Sequence, residues 1–403
     1  MNNFWDKLPR PFFALAPMEA VTDVVFRQVV AKAAAPDVWF SEFTNATGWV
    51  HAGQKAIGGR LVKTDAEHPI VAQIWGGEPG DMEQLAAHCA ELGFDGIGIN
   101  MGCPAKSAIK SGGSALIRQP ELAAESIASA KTASLPVSVK TRLGYTRVDE
   151  WRDWLAHLLH QDIVNLTIHL RTKKEMSKVP AHFELIDDII ALRDEIAPQT
   201  LLTINGDIKN RAHGEELVAK HPGIDGIMIG RGIFHDPFCF ADNSCADSTN
   251  PSETTFSSSS LEEHRYPQAG SPELTRATER PSRPEDSTSF SEGSAFPAEA
   301  SQERQLDQIA ASRPEEKDGC EVEVGLGNEG ERGNKEDQHK QQLLQLLSYH
   351  LELYEQWHEQ TGRPYETLKR FFKIYVRDFD GAKDMRDQLM HTKSTDEVRQ
   401  LIK

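Results

Sequence analysis

Eight short apolar runs, each followed by a longer stretch of different character, constrain this chain more than any other feature. They occupy residues 12–16, 38–42, 70–75, 96–100, 136–141, 164–169, 201–205 and 226–230. Each is too short for an ordinary helix, and most are rich in β-branched or aromatic side chains, so each reads as a strand. Between them, residues 82–92, 120–130, 151–160, 183–196 and 212–220 place apolar side chains at helical spacing. Strand and helix in alternation build a parallel sheet. An open doubly wound sheet gives the same alternation, but eight units are the number that closes a ring. The expected fold is therefore α/β, a TIM (β/α)8 barrel over residues 1–241.

The character changes at Asp242. Serine, threonine, glutamate and proline dominate residues 242–338, and large apolar side chains are sparse. Such a segment cannot bury enough apolar surface to offset its ordering entropy, and it is expected to be disordered. The formal net charge of −17 is concentrated here: residues 241–340 carry −12, residues 1–240 carry −5, and residues 341–403 sum to zero. Overall acidity therefore says little about the partners of the rest of the chain.

Order is expected to resume near Lys340. Leu343, Leu344, Leu347, Leu351 and Tyr354 mark one face of a helix running to about Gln360, with Gly362 and Pro364 ending it. A second helix carries Leu368, Phe371, Phe372, Tyr375 and Phe379 on one face. A third piece opens at Ser394, with Glu397 at capping-box spacing. Residues 339–403 thus read as a small helical domain.

Five cysteines, Cys89, Cys103, Cys239, Cys245 and Cys320, include no Cys-x-x-Cys pair. Neither a disulfide framework nor a zinc site is indicated, and no metal is expected. The chain shows no signal-peptide-like run, and no stretch approaches the roughly 20 apolar residues of a membrane span. A cytoplasmic monomer without membrane contact is expected.

Barrel enzymes carry their chemistry at the carboxyl ends of the strands. Here those ends read Ala16-Pro17-Met18, Gln73, Asn100-Met101-Gly102-Cys103-Pro104, Lys140-Thr141-Arg142, His169-Leu170-Arg171-Thr172, Asn205-Gly206-Asp207 and Gly230-Arg231-Gly232. Glycines after the seventh and eighth runs allow close backbone approach to an anion, and Arg231 adds charge, as a phosphate site requires. Tight turns alone would also place glycines there. Lys140 and His169 suit the negative charge of a reduced flavin, although a lysine in an internal ion pair and a core histidine are the plainer readings of each taken singly. Cys103 follows a strand in a Gly-Cys-Pro turn, where a thiol can act as a general acid. Cys89 has helical apolar neighbours and reads as packing.

A second signal lies near the C-terminus. Lys369, Lys373 and Arg377 recur every four residues with Arg370 beside them, and five basic residues stand against one acidic residue between Arg363 and Arg377. A basic stripe behind an aromatic face suits contact with a phosphate backbone. A solvated charged face is the commoner origin of such a stripe.

Taken together, Ala-Pro-Met at 16–18, Asn-Met-Gly-Cys-Pro-Ala-Lys at 100–106, Ser-Gly-Gly-Ser-Ala-Leu at 111–116, Ser-Val-Lys-Thr-Arg-Leu-Gly at 138–144, His-x-Arg-Thr-Lys at 169–173, Asn-Gly-Asp at 205–207 and Ile-Gly-Arg-Gly at 229–232 resemble the tRNA-dihydrouridine synthases. The likeness covers about residues 10–240, and more loosely the C-terminal helices. It implies FMN as cofactor, NADPH (or NADH) as reductant and tRNA as partner. The reaction it implies is reduction of the C5–C6 bond of a uridine, with hydride from flavin N5 to C6 and a proton from Cys103 to C5. By position, Pro17, Met18, Gln73, Lys140, His169, Asn205, Gly206, Asp207, Gly230 and Arg231 would hold FMN. Asn100, Arg142 and Arg171 would face the uracil, and Lys369, Arg370, Lys373 and Arg377 the tRNA.

Two other functions fit parts of the pattern. An FMN barrel acting on a free pyrimidine or other small molecule would not need the basic C-terminal helices. A non-catalytic RNA-binding barrel would not need Cys103, Lys140 and His169 together.

Overall fold

A computed structural model of the chain describes residues 3–53, 57–106, 108–110, 112–242 and 329–403. The expectation of disorder for residues 242–338 falls mostly outside them. The barrel and the C-terminal helices pack as one compact unit. Among the described residues, no helix is long and apolar enough to cross a membrane.

Among the described residues there are nine strands: β1 (Phe12–Leu15), β2 (Trp39–Phe40), β3 (Thr44–Asn45), β4 (Ile70–Trp75), β5 (Gly96–Asn100), β6 (Val137–Arg142), β7 (Asn165–His169), β8 (Leu201–Asn205) and β9 (Gly226–Ile229). All pair in parallel, in the order β1-β9-β8-β7-β6-β5-β4-β2, with β3 also on β4. An isolated bridge between Ala14 and Val38 joins the two ends. The result is the expected TIM barrel, nearly closed, with its seam between β1 and β2.

The second stave departs from the single run expected over 38–42. It breaks after Phe40 and resumes as β3, because the Ser41 hydroxyl, in place of a backbone carbonyl, accepts the N–H of Gln73 at 3.0 Å. A side chain has taken over one rung of the ladder, and the chain bends there. The bend delivers Glu42, which is fully buried, to a partner described below.

Helices α1 (Val24–Ala34), α2 (Ala46–Ala52), α3 (Pro79–Glu91), α4 (Pro120–Lys131), α5 (Trp151–Leu159), α6 (Ile186–Ile196), α7 (Arg211–Lys220) and α8 (Gly232–His235) accompany the strands. Their starts follow local chemistry. Asp23 accepts the N–H of Phe26 at 3.0 Å to cap α1, and Asn210 accepts that of His213 at 3.0 Å to cap α7. Pro79 and Pro120 open α3 and α4, where a missing N–H costs nothing. Inside the barrel, Phe12, Ala14, Val38, Phe40, Val71 and Met228 pack over Trp5, which plugs the amino-terminal end. Burying a side chain such as Phe12 contributes about 2–3 kcal/mol, so this cluster anchors the amino-terminal end of the barrel.

The long helix α9 spans Glu329–Thr361, followed by α10 (Phe372–Tyr375), α11 (Ala382–Met390) and α12 (Thr395–Leu401). It starts before the expected Lys340. The sequence ahead of Lys340 offers no apolar period to read. Leu343, Leu347 and Leu351 are buried as expected, together with Leu346, Leu353 and Trp357. The second expected helix is broken: a 3-10 turn over Tyr365–Phe371 precedes α10. Lys369, Lys373 and Arg377 therefore do not share one α-helical stripe. Ser394 caps α12 as expected, accepting the N–H of Glu397 at 3.3 Å.

The helices are fastened to the barrel. The ring of Phe26 in α1 packs, tilted, with its centroid 5.0 Å from that of Phe371 and 6.2 Å from that of His350. The Nη2 of Arg363 reaches both carboxylate oxygens of Glu42, at 2.7 and 2.6 Å. Arg370 donates to the Ala20 carbonyl at 2.9 Å.

Candidate active site

At the carboxyl end of β5, one amide organises the turn that carries the thiol. Asn100 Oδ1 accepts the N–H groups of Gly102, at 3.0 Å, and Cys103, at 2.9 Å. Its Nδ2 donates to Gln73 Oε1 at 3.1 Å. The Cys103 carbonyl accepts from Ser114 N at 3.1 Å, and Arg142 Nε grips the Gly102 carbonyl at 2.7 Å. The backbone at Cys103 is thus fixed from three directions. The thiol is half-buried, and burial raises its pKa above the ordinary thiol value. Glu19 raises it further, while the Ala105 N–H, Arg142 and Lys140 pull the other way. A protonated thiol at neutral pH is the outcome, as a proton donor needs. Cys89, fully buried in α3, is pushed by burial alone to about 12 and serves as packing.

On the adjoining strand ends, from β6 onward, lies a group of basic residues. Lys140 Nζ donates to Asn205 Oδ1 at 3.2 Å, and Asn205 Nδ2 to the Met228 carbonyl at 2.8 Å. Burial, and then the charge of Arg142, bring the Lys140 pKa down to about 7. His169 is held neutral, well below its ordinary range, by burial and by the charges of Arg142, Lys140, Arg171 and Arg231.

Asp207 gathers two of these cations. Its carboxylate accepts from Arg171 Nη2, from Arg231 Nη2 at 2.6 Å and from the Ala181 N–H at 2.9 Å. Burial works against ionisation, but these bonds and both arginine charges hold its pKa below the usual range. Gly206, beside it, has φ of 124°, and a Cβ there would stand 3.1 Å from His169 Cδ2 and 3.2 Å from Ala181 Cβ. Only glycine lets the chain pass so close to His169. Gly230 leaves open space, with nothing nearer to a built Cβ than Ala16 Cβ at 3.5 Å. Pro17 and Met18 form the loop after β1, held where Met18 N donates to Thr22 Oγ1 at 2.9 Å.

The strand ends thus bring together Cys103, Lys140, His169, Asp207 and Arg231. Arg142 and Arg171, expected at the uracil, are engaged otherwise. Arg142 Nη1 donates to the Thr172 carbonyl at 3.2 Å and the Met176 carbonyl at 2.9 Å. Arg171 spans the Val179 carbonyl, His169 and Asp207. Both are buried and brace the loops. Sequence cannot separate an arginine aimed at a ligand from one aimed at carbonyls of neighbouring loops.

Among the C-terminal cations, Arg377 donates to the carbonyls of Phe234 at 3.2 Å and His235 at 2.6 Å, and Arg370 is tied to Ala20. These two fasten helices to barrel. Lys369 pairs with exposed Glu366 at 3.6 Å, and Lys373 forms no ion pair among the described residues. The sequence reading missed Glu19, Arg60 and Glu42. Arg60 Nη2 donates to Glu19 Oε1 at 2.5 Å, and the acid directly following Ala-Pro-Met was the available signal.

A flavin's needs can be compared with these residues. Gln73 Nε2 is fully buried and has no partner, although its Oε1 is held by Asn100. An oriented, unsatisfied donor on β4, with half-buried Lys140 on β6 two strands away, fits the polar edge of such a ring. Arg231, a third exposed, and the glycine loops fit a phosphate.

A sequence model described as Dihydrouridine synthase (Dus) matches residues 14–315. The chain belongs to the dihydrouridine synthase family. "Probable tRNA-dihydrouridine synthase 2" of Bacillus subtilis (strain 168) is 45% identical over 403 residues, covering 100% of this chain and 96% of that protein. "Probable tRNA-dihydrouridine synthase" proteins of Staphylococcus epidermidis and Staphylococcus aureus are each 44% identical, covering 100% of this chain and 95% of theirs. The solved chain titled "Structure of morphinone reductase in complex with tetrahydroNAD" aligns at 12% identity and TM-score 0.40, over 58% of this chain and 85% of that one. That likeness is too low to bear on function.

Proposed function

We propose that this chain is a tRNA-dihydrouridine synthase that binds FMN, draws electrons from NADPH or NADH, and reduces the C5–C6 bond of specific uridines in tRNA. One observation carries the reading. A protonated thiol, Cys103, shares the barrel mouth with Lys140, His169 and a pair of arginines, Arg171 and Arg231, that divide a single carboxylate between them.

FMN, when bound, supplies two-electron transfer from the nicotinamide to C6 of uracil. Gln73 Nε2 and Lys140 would hold its ring, and Arg231 with the Gly206 and Gly230 loops its phosphate. Cys103 would give its proton to C5, and the thiolate would regain one from water through the mouth, so that each turnover consumes one proton and one reduced nicotinamide. Lys140 and Arg142 favour that transient thiolate by charge. Asn100 holds the turn, and with it the line of proton delivery.

A uridine stacked in folded tRNA cannot reach a thiol inside a barrel mouth, so it must be extruded. The C-terminal helices beside the mouth would position the tRNA, with Lys369 and Lys373 on its phosphates.

The test is chemical. The purified protein, supplied with FMN, is expected to retain it and to convert uridine to dihydrouridine in tRNA transcripts given NADPH. Cells lacking the protein should lose dihydrouridine at defined tRNA positions. Failure to retain any flavin, or an unaltered dihydrouridine map, refutes the proposal. Turnover of free uridine matching that of tRNA would move the substrate to the small-molecule class.

A further inference from the structure

The loops after β6 and β7 carry a feature that the reaction chemistry does not use. Tyr145 lies between two cations: Arg118 Cζ is 5.0 Å from its ring centroid and Lys173 Nζ is 4.7 Å. Neither cation forms an ion pair among the described residues, nor does exposed Lys174 beside them. The carboxylates of the same loops are committed elsewhere. Glu150 accepts the N–H groups of Tyr145, Thr146 and Arg147 at 2.6, 3.1 and 3.0 Å, and Glu175 accepts from Thr172 N at 2.7 Å. Two like charges are held near one ring with no ion-pair partner among the described residues. The ring quadrupole offsets part of their repulsion, and an anion placed against both would offset the rest.

The position is equally informative. Arg118 ends the 3-10 turn Gly113–Arg118, whose Ser114 N–H bonds to the Cys103 carbonyl. Tyr145 follows Arg142 by three residues, and Lys173 follows Thr172, which Arg142 also grips. Lys173 N donates to the Gly144 carbonyl at 2.8 Å and Lys174 N to that of Tyr145 at 3.0 Å, so the two loops are zipped into one rim. In the strand order β1-β2-β4-β5-β6-β7-β8-β9 around the barrel, β6 stands opposite β1. The C-terminal helices are fastened at Ala20 and Glu42, after β1 and β2. The Tyr145 rim therefore faces those helices across the mouth.

We infer that Arg118, Tyr145 and Lys173 form a second RNA-binding surface, which holds the phosphate backbone on the side of the extruded nucleotide away from the helices. The inference rests on the function proposed above. A nucleotide turned into the mouth leaves a flanking phosphate on each side, and one basic rim can hold only one flank. An oriented cation pair on a rigid loop suits the other.

Fluorescence anisotropy with a labelled tRNA transcript, over a salt series, tests this. Arg118→Gln/Lys173→Gln is expected to raise the tRNA Kd more than about tenfold at 0.1 M salt and to flatten the slope of log K against log salt by about 1.4–1.8. Tyr145→Phe keeps the ring and should bind like wild type, whereas Tyr145→Ala should weaken binding. Melting temperature and circular dichroism report whether each variant is folded. Wild-type Kd and slope in the folded double variant would overturn the inference. So would an increased KM for NADPH with tRNA affinity unchanged, which would assign the cations to the nucleotide. A wild-type protein that binds no tRNA would instead overturn the function itself.

Discussion

Arg171 Nη1 lies 3.0 Å from His169 Nε2, two residues away on the same strand end. A guanidinium only donates, so Nε2 must accept, and the proton of the neutral imidazole resides on Nδ1. Asp207, bonded to the same guanidinium, fixes this arrangement from behind. Nitrogen NMR of the imidazole is expected to show the Nδ1–H tautomer, still neutral well below pH 6.5. The folded pKa is depressed, so the unfolded chain takes up the proton first as pH falls. The stabilising contribution is full above about pH 6.5 and lost below it. His169→Gln should therefore show a shallower loss of urea stability on acidification than wild type. A histidine that titrates near its ordinary value would defeat the assignment.

Lys140 yields a second pH prediction. With its pKa at about 7, it is largely neutral in the flavin-free protein above that value. Binding an anionic cofactor beside it would require proton uptake. The FMN Kd of the flavin-free protein is expected to rise with pH, by up to about tenfold per unit above pH 7. Fluorescence titration measures this, and Lys140→Met should weaken binding and remove the pH dependence. A Kd independent of pH in wild type would contradict it.

Cys103 separates the two halves of the proposed reaction. Cys103→Ala should retain flavin and accept electrons from NADPH, yet form dihydrouridine about a hundredfold to ten-thousandfold more slowly. Single-turnover assays of each half distinguish these effects. Unimpaired product formation would remove the thiol from the mechanism.

Arg363 tests the joint between helices and barrel. Glu42 is completely buried, and Arg363 binds both its oxygens. Removing the cation leaves a buried carboxylate uncompensated, at a cost of about 3–5 kcal/mol. Arg363→Met is expected to lower stability by that order in chemical denaturation, and Arg363→Met/Glu42→Gln to recover part of it. Equal stability of wild type and single variant would show the pair to be inconsequential. The same joint bears on truncation: deleting residues 340–403 would uncover Phe26 as well as remove the basic residues. Lys369→Glu/Lys373→Glu is the cleaner probe of tRNA contact.

The staves of the barrel were legible because a parallel strand buried on both faces leaves a compact apolar run. The second stave was legible only in outline, since the role of Ser41 depends on where its hydroxyl points. Helix α1 went unread because Val24, Val25, Val29 and Val30 resemble strand residues, and burial against α9 overrides that preference. At the site, Cys103, Lys140 and His169 stood out by residue type at strand ends. The bracing roles of Arg142 and Arg171 did not, because their carbonyl partners come from other loops. The C-terminal stripe misled for a related reason. Regular spacing presumes a continuous helix, and the 3-10 turn before α10 rotates Arg370 and Arg377 onto the barrel.

The seam between β1 and β2 has one ladder bridge, Ala14 to Val38, with Phe13 N–H bonded to the Asp37 carboxylate and Ala20 N–H to that of Glu42 beside it. The residues that stitch over it, Arg363 and Arg370, lie far along the chain. During synthesis all eight staves would emerge from the ribosome before the stitch exists. The barrel's own bonds across the seam would thus form first, and Arg363 and Arg370 would fasten it again only once the helices that carry them are made.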